Sequence, residues 1–403
     1  MLSQFRTLGD AVAAAWARVD HRGDDFCELA TETLAAQAPA ISAEELIARL
    51  VAAPWLPEQH TLDQAFGQPP ITLYRHPRFY IEALFWDVGT TGIHQHGFSG
   101  AFCVLDGSSL HTRYRFDEQL AVDERLRLGQ LALTSVELLE RGSVRPIPSG
   151  PALIHSTFHL DTPSLTLVVR TPADGSIEYE YKPPGVAIDP RFRDPATVKR
   201  LQLLGLLHRT GSPSYLAAAR AALATLALSG AFQLLLRARV HLASAADFAQ
   251  LVGDAREIHG PHVEALLPAV EEEWRRLLLV ELRRTVREPA HRFFLALLLN
   301  LPGRRAVLDA VSARYGASGT QERVLGWIDE LSQIPHSGVA TDPTLRSLIA
   351  QLLDGRSEAE LLASMSEAGR AQSAALLPRI CAGLRGHPVL GPLFAAPVEE
   401  RRA

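Results

Sequence analysis

"GIHQHGFSGAFCVLDGSSLHTRYRF", residues 92–116, decides the fold of this chain. Two runs rich in β-branched and aromatic residues flank the pair Asp106-Gly107, which reads as strand, turn, strand. At the mouth of the first run stand His94 and His96, one residue apart. In a strand, residues i and i+2 point to one face, so both imidazoles project together.

Working outward, the same texture runs from about residue 66 to 190. ITLYRH, FYIEALFWDV, QLALTSVELLERG, ALIHSTFHL, SLTLVVRT and IEYEYK are short, and Gly, Pro, Asp and Ser clusters separate them. Many short strands at this spacing predict an antiparallel barrel or jelly roll. Residues 1–65 read as helical. Leu2, Phe5, Leu8 and Val12 recur at helical spacing, and Ser42-Ala43-Glu44-Glu45 forms a capping box that opens a helix ending before Pro54. Residues 191–403 are helical again. Asp194-Pro195 and Asp342-Pro343 are N-cap plus N1 pairs, and apolar runs such as YLAAARAALATLAL and VEALLPAVEEEWRRLLLVELRRTV follow. No fixed-period repeat organises these helices. The expected fold class is α+β multidomain, with a central antiparallel β-barrel between a short helical segment and a large all-α domain. The Pro-rich stretch KPPGVAIDPRFRDP is expected to divide the last two.

Composition narrows the function. The 403 residues are 47% hydrophobic and 21% charged, a globular balance, and the net charge of −5 with no long basic block argues against a nucleic-acid binder. Cys27, Cys103 and Cys381 are distant and odd in number, which points to a reducing, cytoplasmic compartment rather than a disulfide framework. Asp10 and Arg18 bound the first apolar run, so no signal peptide is expected. The charge-free stretch 221–236 is shorter than the roughly 18–20 residues of a membrane span and reads as a buried helix. No phosphate loop and no Gly-x-Ser-x-Gly elbow occurs.

Chemistry therefore rests on the histidines. If the His94/His96 face lines the barrel, the two rings converge, and a later strand supplies a third ligand. His155 lies 59 positions after His96 in SGPALIHSTFHL, and His159, four residues on, shares its face. His159 is an alternative ligand, a base beside the metal, or a core histidine. Three neutral imidazoles leave open positions on a first-row divalent metal. His111 and Arg113 share a strand face and either line the barrel or meet water. Glu257-Ile258-His259-Gly260-Pro261-His262 reads as a polar loop, because Gly-Pro breaks a helix between the histidines.

The pattern resembles the two motifs of the cupin superfamily: His-x-His after a Gly-rich turn, a Gly about ten residues on, then Pro148-Ser149-Gly150 and His155. Cupins commonly carry a Glu after the His pair. Here Gly97-Phe98-Ser99-Gly100-Ala101 holds no carboxylate, which resembles the thiol dioxygenase (cysteine dioxygenase-like) branch with Fe(II) on three histidines. The resemblance spans about residues 70–185. It implies Fe(II) on His94, His96 and His155, with O2 and a small-molecule or peptide substrate, sulfur-bearing or amino-acid-like. It also implies a carboxylate anchor at Arg75 beside Tyr74, near the strand leading to Trp86. His159 is the candidate acid–base residue, and Arg113 and His111 are further candidates for substrate contact. The family's Ser-x-His-x-Tyr relay falls on Ser164, Thr166 and Val168, where only Ser164 matches, so Cys103 has no tyrosine there to link to. The expected function is a cupin-type Fe(II) oxygenase. The competing expectations are a metal-binding cupin that senses a ligand or a partner, and a non-oxidative isomerase or decarboxylase. The large helical segment is expected to dock a larger substrate, a carrier or another protein.

Overall fold

The computed structural model describes residues 3–60, 62, 66–87, 90–191, 194–335, 337–364, 366 and 373–395. Three helices come first: α1 (Ser3–Ala17), α2 (Gly23–Gln37) and α3 (Ala43–Val51). The Ser42 side chain accepts from the Glu45 amide at 3.2 Å, as the capping pattern predicts, while Glu45 pairs with Arg49 one turn on. Leu2 lies outside the described residues. Phe5, Leu8 and Val12 are buried, so the helical spacing read from them does mark a buried face.

Among the described residues, eleven strands follow: β1 (Pro70–His76), β2 (Phe79–Trp86), β3 (Ile93–His96), β4 (Gly100–Asp106), β5 (Ser109–Ala121), β6 (Leu126–Leu139), β7 (Val144–Ile147), β8 (Gly150–His159), β9 (Ser164–Arg170), β10 (Glu180–Lys182) and β11 (Val186–Ile188). β1, β2, β9, β4 and β7 form one antiparallel sheet in that order. β10, β11, β6, β5, β8 and β3 close on themselves, with β3 pairing back to β10. This is a closed antiparallel barrel beside a five-stranded antiparallel sheet, and with its flanking helices the chain is of the α+β class. The sequence reading missed β7 and β11. β11 lies in the Pro-rich stretch expected to be a linker, and it pairs with both β10 and β6.

Strand alternation sorts the side chains of the five-stranded sheet. Ile81, Ala83 and Phe85 of β2, Ala101, Cys103 and Leu105 of β4, and Leu165, Leu167 and Val169 of β9 share one core with α1–α3. Trp16, Phe26 and Phe79 pack there ring against ring. The alternate residues, among them Leu84, Trp86, Phe102, Val104 and Val168, face the other way and form a second cluster. Cys103 therefore points at the helices, away from that second cluster. Gly100 marks the tightest approach of β4 to β9: a Cβ there would lie 2.1 Å from the Val169 carbonyl oxygen.

Ten of the helices after the barrel are α4 (Pro195–Arg209), α5 (Tyr215–Leu223), α6 (Leu228–His241), α7 (Ala245–His259), α8 (His262–Thr285), α9 (Pro289–Asn300), α10 (Arg304–Tyr315), α11 (Thr320–Ser332), α12 (Pro343–Leu353) and α13 (Glu358–Ala363). Leu376–Arg385 and Gly391–Phe394 form α14 and α15. Asp194 caps α4 through the Thr197 amide, and Asp342 caps α12 through Thr344 and Leu345, as the Asp-Pro pairs predict. Residues 221–236 are not one helix. α5 stops at Leu223, where the Thr225 hydroxyl donates to the Ala222 carbonyl, and α6 begins at Leu228.

The chain forms two compact units, Met1–Trp274 and Arg275–Ala403. In the first, Leu126, Leu128, Val186 and Ile188 of the barrel share a core with Leu201, Phe232, Leu251 and Val263 of the helices. Lys182 of β10 pairs with Glu273 of α8 at 2.8 Å. Among the described residues, no helix is long and apolar enough to cross a membrane.

Candidate metal centre

His94 and His96 sit on one face of β3 because Gln95 takes the other, where its side chain bonds Tyr181 Oη and the Ile177 carbonyl. β8 runs antiparallel to β3 with His155 opposite His94. Ligand nitrogens of the three histidines lie within 4.8 Å of one another, and no other such group of His, Cys, Asp or Glu occurs among the described residues. His159 is not part of it. Its Nδ1 bonds Ser109 Oγ at 2.9 Å and Ser164 Oγ at 3.2 Å, and its ring stacks on Trp86 with centroids 4.4 Å apart.

The proton positions follow from the partners. A carbonyl only accepts, so His94 Nδ1 donates to Gly92 O at 2.9 Å, which leaves a lone pair on Nε2. That Nε2 is buried with no hydrogen-bond partner, an arrangement that costs about 1–3 kcal/mol unless something fills it. His96 Nε2 and His155 Nε2 face each other at 2.8 Å. Burial lowers the pKa of His94 and pushes those of His96 and His155 well below the usual imidazole value. Neutral rings with converging nitrogens are what a divalent metal requires. Metal–imidazole bonds of about 2.0–2.1 Å put adjacent ligand nitrogens roughly 3 Å apart, so small ring rotations close the set. The donors fit a metal.

The chamber around the cluster is a cavity of about 40 Å³, lined mainly by apolar side chains including Leu84, Trp86, Phe98, Phe102 and Val104. This is more than one water needs. Two charged residues also line it, Glu82 and Arg170. The Arg170 guanidinium lies 3.5 Å from the centre of the Phe98 ring and 5.3 Å from that of Tyr80. Its Nε and the Tyr80 hydroxyl are buried with no hydrogen-bond partner. Burial raises the Glu82 carboxyl and lowers Arg170, each opposed by the other's charge, and pushes Tyr80 up to about 12.

The remaining sequence candidates lie elsewhere. Arg75 does not line the chamber. Its side chain is 43% exposed and pairs with Glu58 at 2.8 Å. Tyr74 lies against Gly9 of α1, with its hydroxyl donating to Asp10 at 3.1 Å. Arg113 is exposed. His111 is buried behind the cluster and bonds His155 Nδ1 through Nε2 at 2.9 Å. His259 and His262 end α7 and begin α8 across the Gly260-Pro261 break. Sequence reasoning passed over Glu82 and Arg170. The signal was parity: Glu82 falls on the Trp86 side of β2 and Arg170 on the Thr166 side of β9, and Glu82 is the single charge in FYIEALFW.

The fold and the site define an antiparallel β-barrel with a buried three-histidine cluster. No protein-family model matches the chain, and no curated protein does. Among solved structures, the chain is similar to hydroquinone 1,2-dioxygenase from Sphingomonas sp. TTNP3 with 4-hydroxybenzoate bound, at 18% identity and a TM-score of 0.21, over 27% of this chain and 68% of that one. A DMSP lyase structure matches at 16% identity and a TM-score of 0.25, over 44% and 98% of the two chains. Oxalate decarboxylase from Bacillus subtilis matches at 19% identity and a TM-score of 0.19, over 26% of this chain and 24% of that one.

Proposed function

We propose that this chain is a metal-dependent cupin enzyme and that its reaction is oxygenation at Fe(II) held by His94, His96 and His155. The observation that carries the reading is the convergence of three buried, neutral imidazoles, with the His94 Nε2 lone pair unclaimed inside an apolar chamber. Bound there, the metal would supply open coordination positions and electrons for substrate and O2.

The chain's own residues do the rest. Trp86, Phe98 and Phe102 exclude water. Arg170 Nε, a buried donor with no protein acceptor on the chamber wall, binds an acceptor group of the substrate, and the guanidinium favours a carboxylate. His159, fixed at Nδ1 by Ser109 and Ser164, is the residue proposed to move a proton at Nε2. The substrate is a small carboxylate, with amino-acid-like and sulfur-bearing acids the first to try. The helices beyond residue 195 are proposed to dock a larger substrate, a carrier or a partner protein.

Metal analysis of anaerobically prepared protein, followed by O2 uptake over a panel of small carboxylic acids, tests this. Stoichiometric iron with substrate-dependent O2 consumption is expected. Turnover without O2 uptake would replace oxygenation by a lyase or decarboxylase reaction. Tight metal without any turnover would make the barrel a sensor.

A further inference from the structure

A line of side chains runs from the barrel surface to the cluster, and the reaction does not use it. His111 of β5 lies opposite Glu137 of β6, and its Nδ1 sits 2.8 Å from Glu137 Oε1. Arg145 of β7 grips the same carboxylate from the other side, its Nε at 3.0 and 3.1 Å from the two oxygens. Inward, His111 Nε2 meets His155 Nδ1 at 2.9 Å. Side chains of four strands, β7, β6, β5 and β8, are joined in one row.

The row has one consistent proton arrangement. Arg145 keeps Glu137 a carboxylate, so Glu137 only accepts, and His111 carries its proton on Nδ1. His111 is 1% exposed, and its 2.9 Å contact with His155 Nδ1 needs one donor and one acceptor, so with the His111 proton on Nδ1 its Nε2 accepts from His155 Nδ1–H. His155 Nε2 then has no proton and presents its lone pair to the cluster. We propose that Glu137 and His111 are positioning residues, which hold His155 in the tautomer and ring orientation that bind the metal. Without an acceptor at 137, His111 is released to carry its proton on Nε2 and donate to His155 Nδ1. That would place the His155 proton on Nε2, where the metal must bind. The inference rests on the metal reading above.

The test uses full-length apo protein and Co(II) in competition with a chelator. Glu137→Leu removes the acceptor at a side chain 31% exposed, away from the metal ligands. It should weaken Co(II) binding about ten- to hundred-fold, the usual effect of losing a ligand's outer partner. Glu137→Gln keeps an acceptor oxygen for His111 and should retain most of the affinity. Long-range 15N–1H spectra of the apo protein should place the His155 proton on Nδ1 in the wild type and on Nε2 in Glu137→Leu. Wild-type affinity and tautomer in Glu137→Leu, or equal weakening by Leu and Gln, would overturn the proposal. His94→Ala separates the two readings. If it loses Co(II) while Glu137→Leu does not, the relay alone fails. If the wild type binds no Co(II), the metal centre and the relay fail together.

Discussion

His96 Nε2 stands 2.8 Å from His155 Nε2, a separation that only a shared proton or a shared metal makes favourable between two imidazole nitrogens. With the His155 lone pair facing inward, as proposed, His96 supplies that proton, and a metal bound at the cluster would displace it; His96 would then be the ligand that changes tautomer while His94 and His155 are pre-set.

Each of His94→Ala, His96→Ala and His155→Ala should therefore lose most bound metal. An imidazole contributes far more to the metal than to barrel packing, so the melting transition should persist. Metal content of the purified variants and a thermal melt decide it. Full occupancy in His155→Ala together with loss in His159→Ala would move the third ligand to His159.

The same burial sets a pH dependence. His94, His96, His111 and His155 all have pKa values lowered by desolvation. Below the unfolded value near 6.5, the unfolded chain takes up protons that the folded one refuses. Their stabilising contribution is thus full above about pH 6.5 and falls as the pH drops toward the depressed folded values. Each histidine can add up to about 1.4 kcal/mol per pH unit of slope. Urea denaturation of apo protein at pH 7.5, 6.5 and 5.5 should show stability falling across the last interval. A flat profile would mean that the rings are already protonated or solvated in the fold.

The His-x-His pair, the Gly and Pro punctuation and the strand period were enough to read the barrel and the three converging rings. What they did not locate was the charged wall of the chamber, Glu82 and Arg170. Arg75 looked right by its place before Trp86, but a register shift between Thr72 and Tyr74 breaks the simple alternation of β1, and Tyr74 settles against Gly9 of a helix 65 positions upstream. That contact depends on tertiary packing. Arg170 was legible by parity alone, since Ser164, Thr166, Val168 and Arg170 share a face. Nothing in SLTLVVR marks its last residue as different from a strand-end surface arginine. His111 reads as a candidate for substrate contact because it shares a strand face with Arg113; its partner Glu137 lies 26 positions on in another strand, where the sequence does not link the two.

The boundary expected near residue 190 predicts where a protease enters. Residues 189–191 follow the last barrel strand and precede the Asp194 cap. Trypsin should cut between 189 and 194 before it cuts inside the barrel. The apolar core that Val186 and Ile188 share with α4–α8 should then keep the nicked halves together on gel filtration. Resistance at this site, with cutting elsewhere first, would remove 190 as a boundary.

Arg170 offers the sharpest separation of site from surface. Its guanidinium is stacked on Phe98, and its Nε lacks an acceptor, so a bound carboxylate would gain a charge-assisted hydrogen bond without displacing a protein partner. Lysine keeps the charge but has neither the planar fork nor the stacking surface. Arg170→Lys should bind metal normally yet lose about 1.5–3 kcal/mol of carboxylate binding, the scale of a hydrogen bond to a charged group. Arg75→Lys is the control: an exposed arginine paired with Glu58 should leave binding unchanged. The reporter is the fluorescence of the metal-loaded protein, in which Trp86 lines the chamber, titrated with benzoate and acetate. Equal affinity in wild type and Arg170→Lys would take Arg170 out of substrate binding, and a loss confined to Arg75→Lys would return the anchor to β1.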